Sequence, residues 1–235
     1  MKIHIIIPTY NEKDNLESIV HEILRQNIPD LGIIIIDDNS PDGTGYLADR
    51  LAKNDARIFV IHRPKKMGLG TAYVQGFKKA LADPEAQYIL EMDADFSHSP
   101  KYLPDFLRAI ENNDLVLGSR YVSAGGVSNW GLSRRLVSWW ANFLVRLILG
   151  ISVKDLTGGY KCFRRKVLEE IDLNSVESNG YNFQIELNYK AFKKDFRIKE
   201  IPIIFEERRR GRSKFHVGIV LESFWKVLKL RFSYQ

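Results

Sequence analysis

The sequence has little cysteine and no long hydrophobic run. Cys162 is the one cysteine among 235 residues, so an internal disulfide is excluded and a reducing compartment is favoured. We expect this thiol to fill the core. A membrane-spanning helix needs about 20 mostly apolar residues. The nearest candidate, Leu136 to Leu149, contains Asn142 and Arg146, so we interpret it as a buried or interfacial helix.

Signals for export and for several domains are also missing. Met1 to His4 lead directly into a short apolar run that ends at Pro8, which is not the pattern of a signal peptide. The sequence has no internal repeat, low-complexity tract or Pro/Gly/Ser-rich linker. With 45% hydrophobic and 27% charged residues, it predicts one cytoplasmic globular domain over residues 1–235.

The charge balance is basic. A net charge of +6 and a pI near 9.3 indicate an anionic partner. Nucleic acid, phosphorylated metabolites and an acidic membrane surface fit this balance equally well. The distribution of the basic residues therefore has to decide among them.

Apolar, β-branched runs alternate with helical patterns through the first half of the chain. Near-continuous hydrophobic strands separated by helices indicate an α/β fold with a mostly parallel sheet covered on both faces. The second half predicts a helix over Leu132 to Leu149 that ends at Gly150, a helix around Leu187 and a strand from Phe196 to Ile201. The elements predicted for the first half are strand Ile3 to Ile7, helix Leu16 to Leu24, strand Ile33 to Ile36, helix Leu47 to Ala52, strand Ile58 to Ile61, helix Thr71 to Leu81, strand Tyr88 to Met92, a helix opened by Pro100, and strand Leu115 to Leu117.

Polar residues follow three of these strands. Because the carboxyl ends of parallel strands meet at one edge of a sheet, ligands collect there. The segments that we expect to share this edge are Pro8 to Glu12, Asp37 to Gly43, and Asp93 to Asp95.

The third segment contains two carboxylates one residue apart, Asp93 and Asp95, after the apolar run Tyr88 to Leu90. Residues i and i+2 of a strand point the same way, so both side chains can meet one hard divalent cation if the chain keeps or bends out of strand geometry there. Magnesium or manganese held by few carboxylates also takes water and phosphate oxygens. By itself the pair is weak evidence for a cation site, and an acidic junction between a strand and a loop is then the favoured interpretation.

A glycine-rich turn precedes the third helix. Gly68-Leu69-Gly70 is similar to the start of a dinucleotide fingerprint, but Tyr73 occupies the place of the third glycine and the helix follows the third strand. We interpret the turn as a helix amino terminus that faces a phosphate, or merely as a turn.

Taken together and in order, these motifs resemble glycosyltransferase family 2, whose members have a GT-A fold, and in particular its dolichyl-phosphate mannose synthase branch. The resemblance covers essentially the whole chain. One departure is Ser97, where many relatives have glutamine; another is the absence of the carboxyl-terminal membrane helices that many prokaryotic relatives carry. The motifs are Pro8-Thr9-Tyr10-Asn11-Glu12, Asp37-Asp38-Asn39-Ser40-Pro41-Asp42-Gly43-Thr44, Gly68-Leu69-Gly70, Asp93-Ala94-Asp95-Phe96-Ser97-His98, Gly118-Ser119-Arg120-Tyr121, Asp155-Leu156-Thr157-Gly158-Gly159-Tyr160 and Arg208-Arg209-Arg210-Gly211-Arg212-Ser213-Lys214.

The resemblance implies a donor half over residues 1–118. Asp38 would receive the base, because a carboxylate can accept from both the ring N–H and the exocyclic amine of guanine, whereas uracil offers one N–H. The ion, Mg²⁺ or Mn²⁺, would be bound by Asp93, Asp95 and Ser97, and Asp95 would be catalytic. The implied nucleotide-sugar-binding residues are Pro8, Tyr10, Glu12, Ile36, Asp38, Asp93 and Ala94.

The resemblance also implies an acceptor half over residues 119–235. A phosphate monoester carries about −1.5 to −2 charge near neutral pH, so its oxygen needs no general base, and arginines suit its recognition. Arg120 and Arg208 are implied to be catalytic. The implied acceptor-phosphate residues are Arg120, Arg134, Ser138, Arg208 and Lys214.

The expected reaction is transfer of mannose from GDP-mannose to dolichyl or another polyprenyl phosphate by an inverting enzyme. The expected setting is peripheral, on the cytosolic face of a membrane, with a small membrane-anchoring subunit as a further partner and no nucleic acid. Helical spacing after residue 216 predicts a basic amphipathic carboxyl-terminal helix that lies on anionic lipid or packs into the core. Trp139 and Trp140 would contact lipid or pack in the core.

Alternatives stay open from the residues alone. Another donor such as UDP-glucose suits the same fold, and a nonenzymatic membrane-binding or nucleic-acid-binding module would retain it. Glu12 also fits a helix first turn, and His98 a loop or helix cap. For Asp37 we favour a turn or cap role. Solvated charges are the simpler interpretation of Arg135, Arg209, Arg210 and Arg212.

Overall fold

The computed structural model describes residues 2–176, 178, 180–206 and 225–232. Its strands are β1 Lys2–Thr9, β2 Leu31–Asp37, β3 Ile58–His62, β4 Ala86–Glu91, β5 Leu115–Ser119, β6 Gly126–Val127, β7 Lys161–Arg164, β8 Ile198–Pro202 and β9 Ile204–Phe205. Its helices are α1 Lys13–Leu24, α2 Thr44–Asn54, α3 Leu69–Leu81, α4 Leu103–Ile110, α5 Leu132–Leu149, α6 Arg165–Glu170, α7 Tyr181–Lys193 and α8 over 225–232. Single 3-10 turns cover Pro100–Tyr102 and Leu173–Ser175.

Seven strands form one sheet in the order β3-β2-β1-β4-β7-β5-β8. Neighbours pair in parallel except at β7, which runs antiparallel to both β4 and β5. The predicted mostly parallel sheet is therefore confirmed, while β7 was not predicted. The short strands β6 and β9 pair in parallel as a separate ribbon.

Each face of the sheet carries its own core, because successive side chains of a strand point to opposite faces. In β2, Ile33 and Ile35 pack under α1, α2 and α4, whereas Ile34 and Ile36 pack under α3 and α7. The second face has close contacts: a methyl group placed on Gly76 of α3 would overlap the side chain of Ile6. Cys162 is fully buried, which confirms its predicted place in the core.

Helix α5 has the predicted bounds, and most of its apolar side chains are exposed. It ends at Gly150, whose φ of 66° is the left-handed conformation that commonly closes helices. Its two fully buried residues are Asn142 and Leu149. Trp139 and Trp140 remain 47% and 52% exposed, so the core-packing alternative for these tryptophans is wrong, while an interfacial helix and a lipid contact stay predictions.

Helix α5 is held through its polar residue. The side-chain oxygen of Asn142 accepts the backbone N–H of Leu156 at 2.8 Å, and its amide donates to the hydroxyl of Thr157 at 3.2 Å. Apolar side chains therefore face outward from this helix. Across the described part of the chain, no helix combines the length and the hydropathy needed to cross a bilayer.

Candidate active site

The loops after β1, β2 and β4 lie at one edge of the sheet, as predicted. Parallel pairing aligns Thr9 with Asp37 and Ile6 with Glu91. The backbone N–H of Asp38 donates to the carbonyl of Thr9 at 3.0 Å. The segments singled out in the sequence therefore start from neighbouring strand ends.

The acidic segment, Asp93 to Asp95, does not continue the strand geometry of β4. Strand β4 ends at Glu91, and the following residues form a bend in which Phe96 has a φ of 66°. Such a left-handed conformation is costly for a bulky side chain and is found where a loop is held in one shape. The bend gives the two carboxylates different surroundings: the Asp93 side chain is 27% exposed, whereas Asp95 is buried.

Asp95 shapes the loop that contains it. Its Oδ1 atom accepts the backbone N–H of Ser97 at 3.0 Å. The Ser97 side chain is buried, and its hydroxyl has no hydrogen-bond partner among the described residues. Buried hydroxyls are usually paired, so this one marks a position where a ligand or water is expected.

Asp93 is held at its backbone and at its side chain. Its backbone N–H donates to Nδ1 of His98 at 2.9 Å, which places the proton of the neutral imidazole on Nε2. The Tyr73 hydroxyl donates to Oδ1 of Asp93 at 3.0 Å. His98 is buried against Tyr160, so it closes the loop as a cap, in line with the simpler interpretation.

Burial and the nearby Asp93 carboxylate raise the pKa of Tyr73 well above its ordinary value of 10.0, so the hydroxyl stays a donor. The chemistry of the loop suits a hard divalent cation, since its potential ligands are carboxylate and hydroxyl oxygens. Within the described ranges, no group of three or more His, Cys, Asp or Glu side chains stands close enough to enclose a metal. A cation there would complete its coordination with water and phosphate oxygens, which is how Mg²⁺ is commonly bound.

A fully buried ion pair lies behind the acidic segment, and sequence reasoning missed it. Lys161 of β7 stands opposite Glu91 in the ladder, with Nζ 3.0 Å from Oε1. Lys161 also donates to the side chain of Gln184 on α7. Burial raises the pKa of Glu91 to about 7 even though Lys161 opposes this shift.

Asp38 is buried at the site where the base was predicted to bind. Its Oδ2 accepts the backbone N–H of Met67 at 3.1 Å, and its Oδ1 lies 3.0 Å from Nε of Arg63. Arg63 is also buried and donates to the hydroxyl of Thr71 at 2.8 Å. Burial lowers the pKa of this guanidinium, and the charge of Asp38 opposes the shift.

The remaining predicted donor residues divide into accessible and buried ones. Pro8, Tyr10 and Glu12 are partly exposed, and the ammonium of Lys66 lies 3.7 Å above the Tyr10 ring. The Ile36 side chain is fully buried in the core, and the place of Ile36 at the nucleotide stays a prediction. Ala94 is buried beside Asp93.

Glu12 and Asp37 have structural contacts that fit the simpler interpretations. Glu12 immediately precedes α1 and accepts from the Asn15 amide at 2.8 Å. Asp37 is buried and accepts the backbone N–H and the hydroxyl of Ser40 at 3.1 and 2.6 Å. The predicted turn role of Asp37 is confirmed.

Arg120 is paired with the carboxylate of Asp155, which belongs to another of the motifs identified in the sequence. Its backbone N–H, Nε and Nη2 donate to Asp155 at 2.9, 2.7 and 2.6 Å. Both side chains are buried. Burial by itself would lower the pKa of Arg120, but the charge of Asp155 and its hydrogen bonds outweigh this effect and raise it. A direct contact between Arg120 and an acceptor phosphate stays a prediction.

Aromatic rings connect this pair to the acidic segment. The ring of Phe205 lies 5.4 Å from the Arg120 guanidinium and 5.8 Å from the His98 ring. Trp130 packs edge-on against Phe205, and the Arg134 guanidinium stacks on Trp130 at 4.0 Å. Two arginines predicted for the acceptor half are thereby brought to the same side of the molecule as Asp93.

Ser138 is one turn from Arg134 on α5, and its hydroxyl accepts from Tyr121 at 2.7 Å. Arg135 is exposed and donates to the carbonyl of Val127 at 3.1 Å. The other predicted acceptor residues, Arg208 and Lys214, lie outside the described residues, as do Arg209, Arg210 and Arg212.

Residues 4–172 match the family model described as glycosyl transferase family 2. The chain belongs to this family. It is 42% identical over 229 residues to undecaprenyl-phosphate mannosyltransferase of Micrococcus luteus, covering 97% of this chain and 93% of that protein. It is 46% identical over 225 residues to polyprenol monophosphomannose synthase of Mycolicibacterium smegmatis, covering 95% of this chain and 84% of that protein.

Solved structures share the architecture. Glucosyl-3-phosphoglycerate synthase from Mycobacterium tuberculosis, in complex with Mn²⁺, UDP-glucose and phosphoglyceric acid, aligns with a TM-score of 0.70 at 20% identity, over 98% of this chain and 80% of that chain. A complex of the same enzyme with Mg²⁺ and UDP aligns with a TM-score of 0.68 over 98% and 79% of the two chains. At this identity the likeness shows the fold alone, and it confirms the predicted GT-A-like arrangement.

Proposed function

We propose that this chain transfers mannose from GDP-mannose to the phosphate of dolichyl or another polyprenyl phosphate. An acceptor phosphate oxygen attacks the anomeric carbon, the bond from that carbon to the diphosphate oxygen breaks, and GDP leaves. The attack inverts the anomeric centre and gives a β-mannosyl phospholipid. The phosphate monoester is already anionic, so no side chain has to remove a proton.

The observation that carries this proposal is that Asp38, Asp93 and Asp95 lie at one edge of the sheet. The chain is also similar to two enzymes whose names describe mannose transfer to a polyprenyl phosphate. Polar groups at the carboxyl ends of parallel strands form the ligand crevice of open α/β sheets. The relatives' names support mannose and a polyprenyl phosphate. They carry no information on the nucleotide.

At the donor end, Asp93, Asp95 and the Ser97 hydroxyl would hold Mg²⁺ or Mn²⁺. The bound cation supplies positive charge that stabilises the departing diphosphate. Asp95 also shapes the loop through the Ser97 backbone, so it links cation binding to loop geometry. We propose that Pro8, Tyr10 and Glu12 border the nucleotide, with the backbone at Ile36 and Ala94.

Base recognition is proposed for Asp38. Each carboxylate oxygen has two lone-pair sites. Oδ2 already accepts from Met67 and the buried Oδ1 faces Arg63, so we propose that the carboxylate accepts the guanine N–H groups through the lone-pair sites that these contacts leave. GDP is therefore preferred over UDP in this proposal, because guanine offers two adjacent donors.

At the acceptor end, Arg120, Arg134, Ser138, Arg208 and Lys214 are proposed to bind the lipid phosphate. The described members of this group connect to the acidic segment through Phe205 and Trp130. We propose that Asp155 fixes Arg120 while its remaining guanidinium edge and the other cations meet the phosphate. In this proposal residues 1–118 and 119–235 form one catalytic unit.

The outer face of α5 supports a membrane-surface setting. Leu136, Trp139, Trp140, Phe143 and Leu147 are between 39% and 71% exposed. Such a contiguous apolar face is typical of an interaction site, and tryptophan is common at the membrane interface. Helix α8 adds exposed Trp225 and Phe232 beside Lys226 and Lys229. We propose that these helices lie on the cytosolic face of a membrane, where a small membrane-anchoring subunit is a further partner.

The reaction is tested by transfer of labelled mannose from GDP-mannose to dolichyl phosphate in detergent, with Mg²⁺ or Mn²⁺ and with EDTA. We expect metal-dependent mannosyl lipid. Asp95→Asn keeps an oxygen for the Ser97 N–H but loses the charge, so activity should fall on the order of 100-fold or more. Asp49→Asn, at an exposed pair with His62, is the matched control and should stay active.

The donor is tested separately by heating the protein with GDP or UDP at equal concentration and with Mn²⁺. Selective binding raises the unfolding midpoint. A larger rise with GDP supports guanine recognition, and a larger rise with UDP would replace the donor by a uridine nucleotide sugar. Mannose transfer that EDTA leaves unchanged would remove the cation from the proposal.

The membrane setting is tested by flotation with vesicles that contain anionic lipid. Trp139→Ser combined with Trp140→Ser should weaken flotation. Tyr46→Ser, which removes an aromatic residue that is 85% exposed on α2, should leave it unchanged. Equal flotation of all three proteins would place the membrane contact elsewhere.

A further inference from the structure

Tyr73 reaches the acidic segment from within the core. It lies in α3, and its side chain is fully buried, yet its hydroxyl ends 3.0 Å from Oδ1 of the partly exposed Asp93. A buried tyrosine hydroxyl usually finds a partner nearby. Here that partner is a carboxylate of the proposed cation site, not a backbone carbonyl.

The ring of Tyr73 is held on two sides by aromatic packing. Its centroid lies 6.0 Å from that of Phe77 and 5.9 Å from that of Phe183, with an interplanar angle of 6° in the second pair. Helix α3 also approaches Phe183 closely at Gly70, where a Cβ atom would lie 2.9 Å from the Phe183 ring and 2.7 Å from the carbonyl of Ser178. The position of the hydroxyl is therefore fixed by the core.

The Tyr73 hydrogen bond limits how Asp93 can turn. The backbone of Asp93 is tied to His98, while Oδ1 accepts from Tyr73. With both ends restrained, the carboxylate has a defined rotation. A metal ligand that is oriented in advance binds its ion more tightly than one that has to be ordered on binding.

We propose that Tyr73 is a positioning residue that orients Asp93 toward the divalent cation of the donor site. This inference rests on the proposed function, because it takes Asp93 as a ligand of that cation. It also gives a role to a glycine in the first turn of α3: Gly70 allows the close approach of this helix to Phe183, and Tyr73 on the same helix reaches Asp93.

The test is Tyr73→Phe, which keeps the ring and removes the hydroxyl. Binding of Mn²⁺ in the presence of GDP is measured from the electron paramagnetic resonance signal of free Mn²⁺. We expect the Mn²⁺ dissociation constant to rise roughly 10-fold, the lower end of effects seen when a partner of a metal ligand is removed. The Mn²⁺ concentration for half-maximal mannose transfer should rise by the same factor, while the rate at saturating Mn²⁺ largely recovers.

Tyr88→Phe is the matched control. Tyr88 is a buried core tyrosine of β4, the strand that leads to the acidic segment, and its ring lies beside Arg164. Removal of the Tyr88 hydroxyl should leave Mn²⁺ binding unchanged. Asp93→Ala provides a second comparison, because it removes the acceptor of the Tyr73 hydroxyl. If Tyr73 acts through Asp93, adding Tyr73→Phe to Asp93→Ala should weaken Mn²⁺ binding much less than it does in the parent chain.

The outcomes separate this inference from the proposed function. Unchanged Mn²⁺ affinity in Tyr73→Phe, with metal-dependent transfer intact, would overturn the role of Tyr73 and leave the function standing. Equal effects of Tyr73→Phe in the parent and in Asp93→Ala would also overturn it. Failure of the parent chain to bind Mn²⁺ with GDP would overturn the inference together with the metal part of the proposed function.

Discussion

The pair formed by Arg120 and Asp155 gives the sharpest stability prediction. Asp155→Asn leaves the buried guanidinium without its counter-charge while nearly preserving side-chain volume. Removing one partner of a buried ion pair costs about 3–5 kcal/mol, because the remaining charge is left uncompensated in the interior. We therefore expect the free energy of unfolding to fall by about 3 kcal/mol or more.

The hydrogen bonds give a similar magnitude. Asp155 accepts three hydrogen bonds from Arg120, and bonds to charged groups contribute about 1.5–3 kcal/mol each. Asparagine keeps one acceptor oxygen, so part of this set survives and the estimate stays near 3 kcal/mol, whereas alanine should approach 5 kcal/mol. For a chain of this size, 1 kcal/mol shifts the thermal midpoint by about 2–4 °C, so the asparagine variant should melt roughly 6–12 °C lower.

The assay is urea unfolding followed by circular dichroism, with the thermal midpoint as a second readout. Asp105→Asn is the control, because Asp105 pairs with Arg108 on the surface of α4 and its loss should cost below about 1 kcal/mol. Replacing both partners, Arg120→Met with Asp155→Leu, should recover much of the loss, since no buried charge remains. A loss below about 1 kcal/mol in Asp155→Asn would refute the assigned burial of this pair.

Three further predictions concern the packing at Gly76, the reactivity of the Cys162 thiol and the stability of the fold at low pH. Gly76→Ala should destabilise the fold by about 2–3 kcal/mol in urea unfolding, because the added methyl overlaps a β1 side chain, whereas Gly131→Ala, which meets open space, should cost below about 1 kcal/mol. Burial raises the pKa of Cys162, so the native protein should not react with Ellman's reagent, and one thiol should appear on unfolding; native reactivity would contradict its burial. The hydrogen bond from Lys2 holds the pKa of Asp83 well below its usual 3.8, so the stability that Asp83 contributes is present above about pH 4 and lost as pH falls further. The difference in unfolding free energy between the parent and Asp83→Asn should shrink from pH 5 to pH 2.5, and a constant difference would rule this linkage out.

Much of the architecture could be predicted because its signals are local. Buried strands such as β2 appear as continuous isoleucine runs, and polar residues follow them where the loops begin. The bounds of α5 were predicted correctly since Gly150 ends it. The placement of Asp38, Asp93 and Asp95 at one edge followed from parallel strand order.

The residues that sequence reasoning missed depend on partners far along the chain. Strand β7, with the sequence Lys161-Cys162-Phe163-Arg164, has a charged residue at each end, which is not the pattern of a central strand. Lys161 can be buried there because it pairs with Glu91 on the neighbouring strand. Arg63 is likewise buried through Asp38, 25 positions earlier. A charged residue after the third strand was the available signal for Arg63, but its partner could not be identified from spacing.

The orientation of α5 stayed open between a buried and an interfacial helix for a related reason. Its aromatic residues fitted lipid contact and core packing equally, and Asn142 is the residue that faces inward, because the Asp155–Thr157 turn offers it hydrogen-bond partners. The hydrophobic pattern of a helix does not show which face packs on the protein when the surface it packs against consists of polar groups. The contact of α5 with the rest of the molecule therefore had to be seen in three dimensions.

The position of β7 in the sheet has a consequence for how the chain acquires its shape. This strand enters between β4 and β5, although it is synthesised more than 40 residues after β5 begins. Until it arrives, two strand edges at the middle of the sheet lack a partner and Glu91 lacks Lys161. Such distant pairing slows folding, since a long loop must close before its contacts form. The nascent chain up to β5 therefore lacks a central strand until β7 is made, and cutting the gene between β5 and β7 would yield two fragments that each lack what the other completes.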